Sequence, residues 1–171
     1  MTKKIATLGI LAALAIIIAY IERLFPMPIP IPGVKLGLAN TIVIVTLYTV
    51  GTKAALGISV LRIVVSGFLF GSIFGMVYGM AGGLLSFATM IAAKRLNTFG
   101  IVGISVFGGV FHNMGQIAIA AIIVQNLRMF YYAPVLMIAG IITGVAIGYA
   151  AGLTLRHVPA LSTSILDSGV K

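Results

Sequence analysis

A chain of 171 residues that is 61% hydrophobic and 8% charged, with mean hydropathy +1.23, lacks the polar residues needed to clothe a water-soluble domain. Its formal net charge of +9 comes from Lys and Arg scattered singly at the ends of apolar segments, which excludes the basic stripe of a nucleic-acid binder. Without Cys there is no disulfide framework, thiolate metal site or cysteine nucleophile, and the composition describes an integral membrane protein.

A helix crossing a hydrocarbon core of about 30 Å needs about 20 residues. The apolar runs show no period-2 alternation, so strands are not expected. Six spans are predicted, over roughly 5–25, 36–51, 54–70, 73–93, 101–125 and 133–155, in a single membrane domain with a polar tail from 156 to 171. The first run follows Lys3 and Lys4 and has the look of a secretion signal. It is too long for a signal core, lacks a small-residue cleavage site and is followed by five more apolar segments, so it reads as the first span. Its small residues Ala12, Ala15 and Ala19 suit either packing inside the bundle or docking onto another membrane subunit.

Between the first two spans lies "FPMPIPIPGVKLG". Pro26, Pro28, Pro30 and Pro32 fix φ and remove donors, so the segment runs extended. Its Met and Ile suit a cap folded over the outer mouth of the bundle; a stiff spacer at the headgroups is the alternative. "GVKLGLAN" then enters span 2 with Lys35 and the free N–H groups of a helix start, an anion-friendly combination.

In span 3, Arg62 lies near mid-membrane, where a charge costs about 3 kcal/mol and needs an anion or a cavity. The two acids are Asp167, in the tail, and Glu22, near the outer end of span 1. Either Glu22 and Arg62 form a buried ion pair, or Arg62 receives a ligand's carboxylate or phosphate, which guanidinium binds bidentately. Gly67, Gly71, Gly75, Gly79 and Gly83, with Gly82 beside them, form a ladder through the turn between spans 3 and 4 that predicts closely packed helices, with a ligand groove as the alternative. In span 5, His112, Asn113 and Gln116 fall within an arc of roughly 100° at about the depth of Arg62, and three adjacent polar residues favour ligand lining over isolated interhelical bonds. Asn40, Ser59, Ser66 and Ser86 are candidates to complete the polar wall. Tyr131 and Tyr132 read as an interfacial aromatic belt.

Basic residues orient the chain. Lys3, Lys4, Lys53, Lys94, Arg95, Arg156 and Lys171 fall on one side, and Arg23, Lys35 and Arg128 on the other, which places both termini in the cytoplasm. There is no metalloprotease motif, nucleophile elbow, carboxylate pair or phosphate-binding loop, so neither enzymatic activity, a metal nor a cofactor is expected.

"PGVKLGLAN", Arg62, "GGLLS" at 82–86, "HNMGQ" at 112–116 and "YYAP" at 131–134 together resemble the bacterial Gx transporter family, also catalogued as heptaprenyl diphosphate synthase component I. The resemblance covers about residues 5–155. That family is similar in size, six-span layout and long first outer loop to the S components of energy-coupling-factor transporters. The resemblance implies a multi-pass protein of the bacterial cytoplasmic membrane that binds a small molecule in an outer-half pocket and works, amid membrane lipid, with a transmembrane coupling subunit and two ATPases. It also implies that Ala15 and Ala19 dock that subunit. Under the family's other label, the chain is an accessory subunit or scaffold in isoprenoid or membrane redox metabolism, because magnesium-assisted ionisation of a diphosphate requires clustered carboxylates.

Overall fold

The computed structural model describes residues 2–24 and 37–157. The proline-rich segment with Lys35, and the tail with Asp167 and Lys171, lie outside the described residues. Helices run over Thr2–Leu24 (α1), Ala39–Thr49 (α2), Thr52–Phe70 (α3), Ile73–Arg95 (α4), Ile101–Val124 (α5) and Ala133–His157 (α6), with a short 3-10 helix over Leu127–Tyr132. No strand occurs among the described residues.

Five helices are long and apolar enough to cross a membrane, and the chain is a multi-pass membrane protein. The second expected span is shorter than anticipated. The 11 residues of α2 rise about 17 Å, roughly half of a hydrocarbon core. Glycines account for both limits: Gly37 at φ 69° precedes the helix and Gly51 at φ 117° follows it, conformations that side chains rarely adopt and that interrupt a right-handed helix.

Short as it is, α2 forms the axis of the bundle. It packs against α1, α3 and α6, and eight of its residues, from Ala39 to Thr49, are buried. A helix that is apolar all round belongs in such a place. Val43, Ile44, Val45 and Leu47 form one core with Phe87 and Met90 of α4, Ile104 of α5 and Ile147 of α6. Its buried hydroxyls are satisfied within the helix, Thr46 donating to the Ile42 carbonyl at 2.7 Å and Thr49 to that of Val45 at 2.8 Å.

At its C-terminal end α2 meets Lys94 of α4. The ammonium donates to the Leu47 carbonyl at 2.9 Å and sits 4.4 Å from the centre of the Tyr48 ring, so a cation closes the negative end of the helix dipole. Lys94→Met keeps the apolar stem and removes both contacts. Thermal unfolding in detergent is expected to show a loss of about 1–2 kcal/mol.

The remaining helices follow one another as antiparallel neighbours, α3 on α4, α4 on α5 and α5 on α6. Glycines set the closest approaches. On α6, Gly140, Gly144 and Gly148 lie against the backbone of α5, and a methyl group at Gly144 would stand 2.6 Å from Cα of Val106. Where α4 crosses α5, a methyl at Gly115 would stand 2.8 Å from the Ala81 carbonyl oxygen. The ladder anticipated between spans 3 and 4 behaves differently. Gly67 and Gly83 face side chains, Met76 and Ile63, and the atoms nearest to Gly71 belong to its own helix end at Gly67. The ladder admits side chains between α3 and α4, whereas backbone contact is reserved for the α4–α5–α6 layer.

Candidate functional site

Three helices bring polar groups together where α2 begins. Gly37 turns the chain through its left-handed conformation, and its N–H donates to Oε1 of Glu22 near the end of α1. Asn40, in the first turn of α2, accepts from Nη2 of Arg62 on α3 at 2.8 Å. Because α2 is short, this start lies deep in the bundle. Gly37 stands beside the Ile147 side chain, fourteen residues into α6 and so about 21 Å along it.

The electrostatics of the site follow from who bonds whom. Glu22 is near enough to act on Arg62 through charge, yet its carboxylate is hydrogen-bonded to the backbone entering α2. The described residues form no direct Glu22–Arg62 ion pair, and both groups are instead tied to α2. A helix start attracts an anion, and here the chain supplies one of its own. Nε of Arg62 is buried and donates to no atom of the described residues. A guanidinium carries five donors in a planar fork that matches carboxylate or phosphate, so capacity for an anion remains.

Span 5 divides its polar residues between two neighbours. His112 and Gln116 pack over Gly82 of α4, where the absent side chain makes the room they occupy. Asn113 is one residue, or 100°, further round the helix and turns to α6, where it is buried and donates to the Leu136 carbonyl at 2.7 Å. The expected shared face of His112, Asn113 and Gln116 therefore splits. Gly79 and Gly83 face Ile63 on one side of α4 while Gly82 faces His112 on the other, so Arg62 and the His112/Gln116 pair sit at the same level of the bundle. Replacing Asn113 by Leu is expected to lower stability by about 1 kcal/mol, with retention of any bound small molecule; thermal unfolding in detergent reads the first and analysis of released compounds the second.

The other expected residues lie apart from this cluster. Ser86 is buried between α4 and α5, its hydroxyl facing Gly108. Ser66 donates back to the Ile63 carbonyl of its own helix at 3.4 Å. Lys35 falls outside the described residues. Of the small-residue stripe on α1, Ala15 has no exposed surface and packs with Leu11, Ile42 and Ile58, and Ala12 leans on the same cluster. Ala15 therefore packs within the chain, while Ala12 keeps some accessible surface. Ala19 is half-buried on the same helix.

Residues 11–154 match the family described as heptaprenyl diphosphate synthase component I. The chain belongs to that family. No curated protein and no solved structure matches it significantly. The matched range contains Glu22, Asn40 and Arg62 at the start of α2, and His112 and Gln116 on α5. The bond from Gly37 to Glu22 had no counterpart in the sequence reading; the glycine before "LAN" was its only trace.

Proposed function

We propose that this component I family member is a membrane-embedded solute binder, comparable with the S components of energy-coupling-factor importers, that takes a small anionic or amphipathic molecule. The observation that carries the reading is Arg62, a mid-bundle guanidinium committed to Asn40 through one nitrogen and retaining a buried Nε donor without a protein acceptor. Burying such a group is costly unless its donors are met. A ligand's carboxylate or phosphate would meet them, Lys35 and the start of α2 would add to the positive field, and Glu22 would hold the site ordered until the ligand arrives. His112 and Gln116 would read polar edges from the α5 side. Asn40 would position Arg62 without contacting the ligand.

In this reading both termini face the cytoplasm of a bacterial cell. Lacking a phosphate-binding loop, the chain would rely on a transmembrane coupling subunit with ATPases to release its ligand into the cell.

The family description favours a second reading, a non-catalytic accessory subunit for heptaprenyl diphosphate synthesis. Two acidic residues in the whole chain do not make the carboxylate cluster that a magnesium-dependent prenyl transfer requires, which supports an accessory rather than a catalytic part. Mass spectrometry of small molecules released by denaturing the purified protein separates the two. One compound at near-stoichiometric amount supports the solute binder, and its chemistry names the substrate class. Repeated emptiness, with a soluble prenyltransferase captured from membrane extracts, would replace it with the accessory subunit.

A further inference from the structure

Where α5 begins and α6 makes its last turns, the two helices enclose an open groove of about 390 Å³. Its origin lies in the glycines. At Gly148 the two helices are in backbone contact, a methyl there standing 2.7 Å from Cα of Val102. One turn later α5 has ended, α6 continues, and a methyl group at Gly152 would meet nothing within 4 Å; the same holds for Gly100 across the groove. Neither glycine is needed for close packing, and together they leave the floor without side chains. Ile101, Val102 and Leu153 make the walls, with Tyr149 largely exposed at the rim.

We propose that this groove binds one anionic phospholipid, an acyl chain lying over Gly152 and the phosphate meeting Arg156. Three observations select that occupant. The lining is apolar along its length and lies on helices that span the membrane, so hydrocarbon fills it in preference to water. Arg156 is exposed, lines the groove and stands one turn beyond Gly152 on the same face of α6, at the helix end where a headgroup would lie. Lys53 and Arg95 are exposed at this same end, and Lys94 is engaged with Leu47, so the surrounding field favours a net negative headgroup over a zwitterionic one. The site is separate from the Arg62 cluster, and its test is independent of what that cluster binds.

The experiment is native mass spectrometry of the full-length protein in detergent, titrated with phosphatidylglycerol or phosphatidylcholine carrying identical acyl chains. Wild type is expected to retain one phosphatidylglycerol with about fivefold preference, the worth of a single interfacial cation. Arg156→Gln is expected to remove the preference and leave weak retention of both lipids. Gly152→Phe, which has room to fold, is expected to remove retention of both with the thermal transition unchanged. Equal retention of the two lipids by wild type, or a preference that survives in Arg156→Gln, would overturn the assignment. So would undiminished binding in folded Gly152→Phe.

Discussion

Arg62→Ala is expected to yield a folded protein that no longer carries its small molecule. On the solute-binding reading, removing the guanidinium would delete two charge-assisted bonds to a ligand anion, together worth about 3 kcal/mol or more, which converts to a loss of affinity of at least about 100-fold. Folding is expected to survive, because Asn40 keeps its place through its backbone bond to the Gly37 carbonyl at 2.7 Å and Glu22 keeps its bond to the Gly37 N–H. Arg62→Lys separates charge from shape. An ammonium retains the attraction but not the planar fork, so affinity should fall between wild type and the alanine variant. The measurement is the amount of the wild-type compound released per mole of each purified variant. Equal amounts from wild type and Arg62→Ala would remove Arg62 from the site and, with it, the main support for the solute-binding reading. A variant that loses stability and still holds the compound would make Arg62 a structural residue.

The second large effect belongs to the seam between α5 and α6. Gly144→Leu is expected to destabilise the bundle by at least about 3 kcal/mol, because the first added carbon would stand 2.6 Å from Cα of Val106 and 2.9 Å from the Ser105 carbonyl oxygen. Both are backbone atoms of a helix and cannot step aside as a side chain would. Relief requires α5 and α6 to move apart, and in lipid nothing hydrophobic drives them back together; only the lost dispersion contacts held them. Gly57 on α3 provides the matched control, since a side chain there meets nothing within 4 Å, and Gly57→Leu should unfold at the wild-type temperature. Size-exclusion profiles and thermal unfolding in detergent decide the matter. If Gly144→Leu and Gly57→Leu behaved alike, the glycine seam would not be what holds these helices.

The site was legible in part. Arg62 is conspicuous because any mid-span guanidinium is, and Asn40 and Glu22 were within reach of it by depth along their helices. Their actual relation was not foreseeable. A direct ion pair between Glu22 and Arg62 was one of two expectations, whereas the structure ties each to the start of α2, Glu22 through the Gly37 N–H and Arg62 through Asn40. The cause is one backbone conformation, φ 69° at Gly37, which aims an amide at Glu22. No side-chain pattern announces it.

Helix packing was legible in kind and misplaced in detail. The ladder from Gly67 to Gly83 drew attention because it is long, but it accommodates Met76 and Ile63 side chains. The glycines at 140, 144 and 148 repeat at the same spacing and carry the closest contact. Likewise Ala12 and Ala15 look the same from the sequence whether they face a partner or the chain's own α2 and α3.

What the sequence by itself determined is the solvent, and through it the helical class and the placing of the long helices, because a hydrocarbon slab of known thickness permits little else. Rotation about each helix axis was left to the tertiary structure: which way Asn113 and His112 turn, where α1 hides Ala15, and how far α2 extends. In water a polar face marks the outside of a helix. In lipid both faces are apolar, the periodicity that would reveal the facing vanishes, and only the fit of glycines, carbonyls and side chains between neighbouring helices settles it.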